Sequence, residues 1–313
     1  MSDLVLAFSS SIVTGNPAQI YIASLGSKNS RRVILNDLNN IAKIVSSGQF
    51  DAFSFPWQQI TYQVSAGIRA VLSEKYAPAS ANRILSSLKG VLRECRRLGL
   101  MGADECAKAC DIKPIKGERP LAGRAMDKSE VKALMDSVST DPTNRGVRDA
   151  AILALMRVTG MRRSEVVKLD VSDIDLTAKT ALVREGKGNK TRVCQLGSAV
   201  IPRLASWIEL RGRAESQCTA LFTPVSKADR ILDKRLTDQA IASILSNRLQ
   251  QAGIAAKTTP HDIRRGYATD LLEAGVDIET VSKMMGHSSV VTTQRYSRRG
   301  EEAQKAAVES LGL

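Results

Sequence analysis

The sequence lacks the marks of several protein classes. Its five cysteines are an odd number without the spacing of a disulfide framework, which favours a reducing compartment. No Cys-x-x-Cys pair, neighbouring histidine or carboxylate cluster suggests zinc or another divalent cation, so we expect no metal. No apolar run approaches a membrane span, and no basic residue precedes Lys28, which argues against a secretory signal. We therefore predict a cytoplasmic protein without membrane contact.

The glycines do not form a nucleotide-binding loop. Gly186 and Gly188 flank Lys187, but a phosphate-binding loop would require the pattern GxxxxGK[ST]. An ATPase therefore has no support in the sequence, and we expect no nucleotide cofactor. Taken alone, Lys187 would ordinarily be a solvated lysine at the tip of a hairpin.

Positive charge is the feature that the sequence has in excess. Lysine and arginine number 45 against 32 aspartates and glutamates, which gives a formal net charge of +13. The excess is shared between residues 1–125 and 126–313, so both parts could contact the same polyanion. A surplus of this size favours nucleic acid as the partner. A basic soluble protein without such a partner remains the alternative on charge alone.

The composition divides the chain into two domains. Residues 111–125 contain two prolines, two glycines and four basic side chains between periodic segments, which is typical of an exposed linker. We predict a helical domain over 1–110, a second domain over 126–299 and a tail over 300–313. The tail could form a short helix that docks on a neighbouring subunit, or it could be a frayed terminus.

The first domain is predicted to be entirely helical. Apolar periodicity predicts helices over residues 18–25, 31–45 after Ser30, 57–76 and 80–98. The last of these has a basic face opposite its apolar residues, formed by Arg83, Lys89, Arg93, Arg96 and Arg97. Such a face is usually a solvated surface, so it supports DNA contact only weakly.

The second domain is predicted to combine helices with a small antiparallel sheet. Asp127 caps a first helix, and an apolar helix over 147–158 ends at Gly160. Alternating residues over 173–196, with turns at TAK and GKGN, predict short strands. Thr237 caps a later helix. The predicted fold class is mainly α with a small antiparallel β-sheet.

Both histidines of the chain lie in the stretch 260–296. Thr259 and Pro260 begin a helix that ends at Gly275. His261 and Arg264 are three residues apart and share one face of it, beside an N-terminus that favours an anion. A second helix runs from the cap Asp277 to Gly286, so His287 follows a helix end.

The polar residues at these helix ends suit phosphoryl chemistry as a set. Two arginines, two histidines and a lysine lie at helix ends or turns, and Tyr296 comes nine residues after the second histidine. Planar guanidinium groups can neutralise the charge that develops on the oxygens of a pentavalent phosphate without a metal. A tyrosine hydroxyl needs neighbouring cations and a proton acceptor to act as the nucleophile. Singly, each of these residues has an ordinary structural explanation.

The same residues carry a resemblance to the tyrosine recombinases, which include phage integrases and Xer-type enzymes. TGMRRSE at 159–165 resembles their first arginine box, and GKGNKTR at 186–192 resembles their lysine hairpin. HDIRRGYAT at 261–269 and GHSSVVTTQRY at 286–296 resemble their last two boxes. The resemblance implies a helical core-binding domain followed by an α+β catalytic domain.

The resemblance also implies how the phosphate is attacked. Tyr296 would attack a DNA phosphate and form a 3'-phosphotyrosyl link. Arg162, Arg264 and His287 would hold the phosphoryl oxygens. Because the bond energy is conserved in the covalent link, the resemblance implies no ATP and no metal. Strands would then be exchanged through a Holliday junction.

The remaining matching residues would move protons or orient their neighbours. By the same resemblance, Lys187 would protonate the departing 5'-oxygen and His261 would exchange a proton with the tyrosine. Glu165 would orient its neighbours, and its carboxylate could hold an arginine as a fork. The residue after Arg264 is commonly histidine in the family and is Arg265 here.

The expected partners follow from the resemblance. They are double-stranded DNA recombination sites, bound by a homotetramer that bridges two duplexes in the cytoplasm, at the nucleoid. Because the first core-type helix begins near residue 18, we expect none of the additional amino-terminal modules of many phage integrases. A simple two-domain, Xer-like recombinase acting on short inverted half-sites is favoured. Five further cations are predicted to contact DNA: Arg83, Lys89, Arg93, Arg163 and Arg265.

Two alternative functions stay open on the sequence. A type IB topoisomerase is similar in catalytic residues but would relax supercoils without exchanging partners. A DNA-binding regulator could keep the fold without catalysis, although binding alone needs no nucleophile such as Tyr296.

Overall fold

The computed structural model describes residues 15–117, 124–184, 191–214 and 217–286, together with Val290 and Thr293. The chain divides into two compact units, Met1–Ala122 and Gly123–Leu313. The described residues form mainly helices and one three-stranded antiparallel sheet, which confirms the predicted fold class. The domain roles, the linker and the tail stay predictions. Within these ranges no helix is both long and apolar enough to cross a membrane.

The described part of the first unit consists of helices. Its elements are α1 Pro17–Ala23, α2 Lys28–Ser46, a 3-10 turn Trp57–Gln59, α3 Tyr62–Lys75, α4 Pro78–Arg97 and α5 Ala103–Cys110. Helix α4 packs against α1, α2, α3 and α5, and its buried face includes Leu88 and Leu92. The indole of Trp57 is fully buried and donates a 2.8 Å hydrogen bond to the carbonyl of Ala52. Buried apolar residues around α4 therefore form the core of this unit.

Two predicted helix boundaries in this unit are wrong. Ser27 rather than Ser30 caps α2, because its hydroxyl accepts a 3.0 Å hydrogen bond from the amide of Ser30. The helix predicted over 57–76 is interrupted before Tyr62. There the hydroxyl of Thr61 accepts from the amide of Val64 at 3.4 Å and begins a new helix. Both corrections follow from a hydroxyl side chain that satisfies an unpaired helical amide.

The second unit surrounds one apolar helix. Its helices are α6 Lys128–Ser139, α7 Asn144–Thr159, α8 Arg163–Val166, α9 Ile201–Arg213, α10 Asp238–Gln251, α11 Pro260–Glu273 and α12 Ile278–Met285, with a 3-10 turn Val171–Asp173. Helix α7 is almost wholly buried and packs against α6, α9 and α11. It ends at Gly160, as predicted, and the caps predicted at Asp127, Thr237 and Asp277 are confirmed.

The sheet of the second unit contains three short strands in sequence order. They are β1 Ile174–Asp175, β2 Thr180–Val183 and β3 Arg192–Gln195. In the β2–β3 pair Val183 is opposite Arg192, and the hydroxyl of Thr191 donates a 2.8 Å hydrogen bond to the carbonyl of Arg184. The predicted strands and the turn between β1 and β2 are confirmed. The predicted GKGN turn lies outside the described residues.

A buried group of charges connects α7 with α10. Asp149 accepts hydrogen bonds from its neighbour Arg148 and from the Nε of Arg248, the latter at 2.8 Å. Arg248 also pairs with Asp141 at 2.8 Å. Because these arginines and Asp149 are almost completely buried, the pairing compensates charges that would otherwise be very costly to bury.

Candidate active site

Two helix N-termini bring the predicted catalytic residues of the second unit together. Arg162 caps α8, while His261 and Arg264 lie in the first two turns of α11. Pro260 is the first helical residue, and the carboxylate of Asp262 accepts from the amide and hydroxyl of Thr259, so the start of α11 is fixed. One pocket of about 330 Å³ is lined by Arg162, Arg163, Ser164, Thr259, Pro260, His261 and Arg264.

The side chain of Arg162 is held at the pocket by a carboxylate of its own helix. Glu165 accepts from the Nη1 of Arg162 at 2.7 Å and from its backbone amide at 2.8 Å. The Nη2 of Arg162 donates to the carbonyl of Gly286 at 3.4 Å. The guanidinium is about a quarter exposed and therefore remains accessible to a ligand in the pocket.

A second arginine binds the same carboxylate from the sheet. The two Nη atoms of Arg192 donate to the two oxygens of Glu165 at 3.1 and 2.7 Å. Burial alone would raise the pKa of Glu165, but the hydrogen bonds and charges of Arg192 and Arg162 lower it to about 2. Glu165 is therefore ionised at neutral pH and binds two guanidinium groups. The predicted fork between the Glu165 carboxylate and an arginine is observed, and its orienting role stays a prediction.

Arg264 connects the ends of two other helices. Its side chain is buried, and its Nη1 donates to the carbonyl of Gly160 at 2.5 Å, at the end of α7. Its Nη2 donates to the carbonyl of Met285 at 2.6 Å, at the end of α12. A cation is favourable at both places because carbonyl groups at helix C-termini have no helical partner.

The two pocket arginines bind consecutive carbonyls at the end of α12. Arg264 binds Met285 and Arg162 binds Gly286, the residue before His287 in the sequence. Gly286 has φ of 63° and ends the helix. Both contacts therefore fix the backbone at the end of α12.

His261 is exposed at the pocket. Neighbouring atoms partly desolvate the imidazole, and this is the largest cause that lowers its pKa below the usual value of 6.5. The positive charges of Arg265 and Arg264 lower the pKa further. The lowered pKa favours the neutral imidazole at pH 7. A neutral imidazole can accept a proton, as a general base must.

Comparison with known proteins settles the family. The phage integrase family matches residues 124–302, which is more than half of the chain. The chain belongs to this family, the tyrosine recombinases. Tyrosine recombinase XerD of Mycobacterium leprae (strain TN) is 36% identical over 228 residues, covering 70% of this chain and 69% of the relative. Tyrosine recombinase XerC of Azotobacter vinelandii (strain DJ / ATCC BAA-1303) is 37% identical over 227 residues, covering 71% and 70%.

Solved structures share the fold of this recombinase. XerH site-specific recombinase in a post-cleavage complex with a palindromic difH substrate aligns with a TM-score of 0.68 at 19% identity, covering 94% of this chain and 93% of that one. A lambda integrase tetramer bound to a Holliday junction aligns with a TM-score of 0.65 at 17% identity, covering 91% and 76%. The protein is a site-specific DNA recombinase. The comparisons give no support to a topoisomerase or to a non-catalytic regulator.

Three of the six predicted catalytic residues of the recombinase lie outside the described residues. These are Lys187, His287 and Tyr296. The other three, Arg162, His261 and Arg264, line one pocket. Their proposed roles remain predictions, but the basic pocket that those roles require is present. Within the described residues, no group of three or more histidine, cysteine, aspartate or glutamate side chains could hold a metal.

The predicted DNA contacts differ in their surroundings. Arg83 pairs with the buried Asp37, and the Nζ of Lys89 donates to a backbone carbonyl of the first unit at 3.0 Å, whereas Arg93 is exposed. Arg163 lines the pocket and lies 3.4 Å from Asp238. The positive charge of α4 is thus partly compensated inside its own unit.

Arg265 is the least accessible of the five residues predicted to contact DNA. Only 8% of it is exposed, although its charge acts on His261. Its DNA contact stays a prediction.

Sequence reasoning missed two residues that organise the site of the recombinase. One is Arg192, the last residue of the GKGNKTR segment, which binds Glu165. The other is Gly160, which was predicted only to end a helix. Its carbonyl accepts a hydrogen bond from Arg264. A basic residue two positions before the buried Cys194 on a predicted strand was the available signal, because alternate residues share one face of a strand.

Proposed function

We propose that this recombinase cleaves and rejoins DNA through Tyr296. The phenolic oxygen forms a bond to the scissile phosphorus while the bond from phosphorus to the 5'-oxygen breaks. The phenol proton passes to His261, and Lys187 supplies a proton to the 5'-oxygen. The products are a 3'-phosphotyrosyl link and a free 5'-hydroxyl, which can attack the link of a partner strand and form a Holliday junction.

One observation supports this proposal above the others. Arg162 and Arg264 reach one pocket from two different helices, and each is fixed by hydrogen bonds to groups of the protein. Guanidinium groups that are already in place stabilise charge on phosphoryl oxygens without reorganising during the reaction. The lowered pKa of His261 agrees with a role as proton acceptor.

We also propose a homotetramer on two DNA duplexes, acting in the cytoplasm at the nucleoid. A lambda integrase tetramer on a Holliday junction has the fold of this chain, which supports the assembly by analogy. Residues 1–110 would bind the core DNA site, residues 111–125 would connect the domains, and the tail 300–313 would dock on a neighbouring subunit. Deletion of residues 300–313 should then weaken tetramer formation on DNA, and unchanged synapsis would reject docking.

Capture of covalent protein–DNA complexes from genomic DNA tests the proposed chemistry. Wild-type protein should give DNA fragments with discrete ends, each with a blocked 3'-end and a free 5'-hydroxyl that a polynucleotide kinase can label. Tyr296→Phe should give none. Tyr62→Phe is the matched control, because Tyr62 is more than half exposed and lies in the first unit. Adducts that persist in Tyr296→Phe would reject Tyr296 as the nucleophile.

A further inference from the structure

Arg192 binds the carboxylate that holds the pocket residue Arg162. Only 13% of its side chain is exposed, and its two Nη atoms bind both oxygens of Glu165. The same two oxygens accept from the backbone amide and the Nη1 of Arg162. One buried carboxylate is therefore shared by one arginine that faces the pocket and one that does not line it.

We propose that Arg192 is a positioning residue of this recombinase, which holds Glu165 in the orientation that aims Arg162 at the scissile phosphate. The inference rests on the proposed function, in which Arg162 neutralises a phosphoryl oxygen. Arg192 itself does not line the pocket.

The geometry of the guanidinium explains why an arginine suits this position. A planar fork binds both oxygens of a carboxylate at once and so fixes the plane of the carboxylate as well as its distance. Arg162 reaches the two oxygens through different groups, its Nη1 binding Oε1 and its backbone amide binding Oε2, so a single bond from the carboxylate holds its side chain. Because Arg192 fixes Glu165, the long side chain of Arg162 is already held in one conformation before the substrate binds.

A second contact connects Arg192 with the end of α12. A Cβ atom built on Gly286 would lie 3.0 Å from the Nη1 of Arg192, so the guanidinium packs directly against this glycine. The carbonyl of Gly286 is also the second acceptor for Arg162. Arg192 therefore packs against both residues that hold Arg162, Glu165 and Gly286.

The position of Arg192 in the chain adds a third connection. It is the first residue of β3 and pairs with Val183 across the β2–β3 hairpin, and Lys187 belongs to the sequence that joins these two strands. The base of this hairpin is thereby attached to Glu165 on α8. One side chain thus connects the sheet, the first arginine box and the segment before His287.

Two variants of Arg192 test the inference on DNA sites identified by covalent capture. Arg192→Gln removes the charge, and Arg192→Lys keeps the charge but loses the fork. Arg184→Gln is the matched control, because Arg184 lies at the same hairpin and pairs with the buried Asp173, which does not bind Arg162. Each protein is assayed on a normal duplex and on one whose scissile phosphate is a methylphosphonate, which has no negative charge.

The expected result distinguishes positioning from a general loss of structure. On the normal duplex the rate of covalent adduct formation should fall about 10- to 100-fold for Arg192→Gln, and less for Arg192→Lys. On the methylphosphonate duplex the deficit of Arg192→Gln, like that of Arg162→Ala, should shrink to within about threefold of wild type, since the transition state carries one negative charge fewer and depends less on Arg162. A deficit that is equally large on both duplexes would overturn the inference, as would a rate equal to that of Arg184→Gln.

A crystal structure of Arg192→Gln separates this inference from the proposed function, because it needs no cleavage. We expect Arg162 to leave its present contacts with Glu165 and Gly286. An Arg162 side chain that keeps both contacts would overturn the inference even if wild-type cleavage is normal. Failure of the wild-type protein to form any adduct would instead reject the proposed function.

Discussion

The Nη1 of Arg264 donates a 2.5 Å hydrogen bond to the carbonyl oxygen of Gly160, 104 residues earlier in the chain. Gly160 ends α7 with φ of 58°, a left-handed conformation that favours glycine. A Cβ atom at this position would lie 2.3 Å from the Cδ1 of Tyr267. Two features of Gly160, its backbone conformation and its missing side chain, therefore allow the first arginine box to meet α11.

Gly160→Ala should destabilise the second unit and displace Arg264. The left-handed conformation costs an L-residue about 1–2 kcal/mol, and the clash with the Tyr267 ring adds about 1–3 kcal/mol of overpacking. We expect the free energy of unfolding to fall by about 2–5 kcal/mol, as measured by urea denaturation. Adduct formation should fall as well, because Arg264 loses its fixed acceptor.

Gly253→Ala is the matched control for this prediction. Gly253 also has a left-handed φ, 70°, but no atom lies within 4 Å of its Cβ position. Only the conformational cost of about 1–2 kcal/mol is therefore expected. Equal losses in the two variants would show that the contact with Tyr267 contributes nothing.

Local sequence signals were sufficient to predict most helices around this contact. Asp277 and Gly286 mark the two ends of α12 as predicted, and Pro260 begins α11. These elements were predictable because caps and terminators act within a few residues of the helix end. Where two hydroxyl residues compete to cap α2, the sequence did not distinguish Ser27 from Ser30, since both can accept a hydrogen bond.

The candidate site was predictable only as far as the motifs reach. They identified Arg162, His261 and Arg264, which line one pocket. They did not reveal that Glu165 is shared with Arg192, because Arg192 lies 27 positions later in the chain and only the sheet brings it to Glu165. The alternation of β3 could have assigned Arg192 to the inner face of the strand. Its partner Glu165 is set by tertiary packing, which local patterns do not encode.

Glu165→Gln should make the stability of the protein less sensitive to acid. The folded-state pKa of Glu165, about 2, lies below its ordinary value of 4.5, so ionised Glu165 stabilises the folded state above about pH 4.5. That stabilisation is lost as the pH falls from about 4.5 towards 2. We expect the free energy of unfolding of wild type, relative to Glu165→Gln, to decrease by about 2 kcal/mol between pH 6 and pH 3.

Urea denaturation at intervals between pH 6 and pH 3 measures this difference. Glu209→Gln is the control, because Glu209 forms an exposed ion pair with Arg213 that water screens. Its stability should follow that of wild type at every pH. A Glu165→Gln curve parallel to wild type would mean that the two arginines do not depress the pKa of Glu165.

Asp149→Asn should be among the most destabilising changes in the second unit. The side chain of Asp149 is 4% exposed and accepts from Arg148 and Arg248. Loss of its charge leaves two buried guanidinium groups with less compensation, which typically costs about 3–5 kcal/mol. Urea denaturation should show this loss with an unchanged m-value, whereas Asp136→Asn, in an exposed pair with Lys132, should show no measurable loss. A loss below about 1 kcal/mol for Asp149→Asn would contradict the importance of the buried charges.

Arg265→Gln should raise the pKa of His261. Desolvation and the positive charges of Arg265 and Arg264 lower that pKa in the wild type, and removal of one cation weakens the electrostatic part. Because the chain has only two histidines, proton NMR can follow both imidazoles, and His287→Gln assigns the signals. If neutral His261 accepts the tyrosine proton, the acid limb of the plot of adduct-formation rate against pH should move to higher pH in parallel.

The control is Arg157→Gln, because the guanidinium of Arg157 pairs with Asp270. This variant should leave the titration of His261 unchanged. A pKa of His261 that stays constant or falls in Arg265→Gln would show that Arg265 does not act on it.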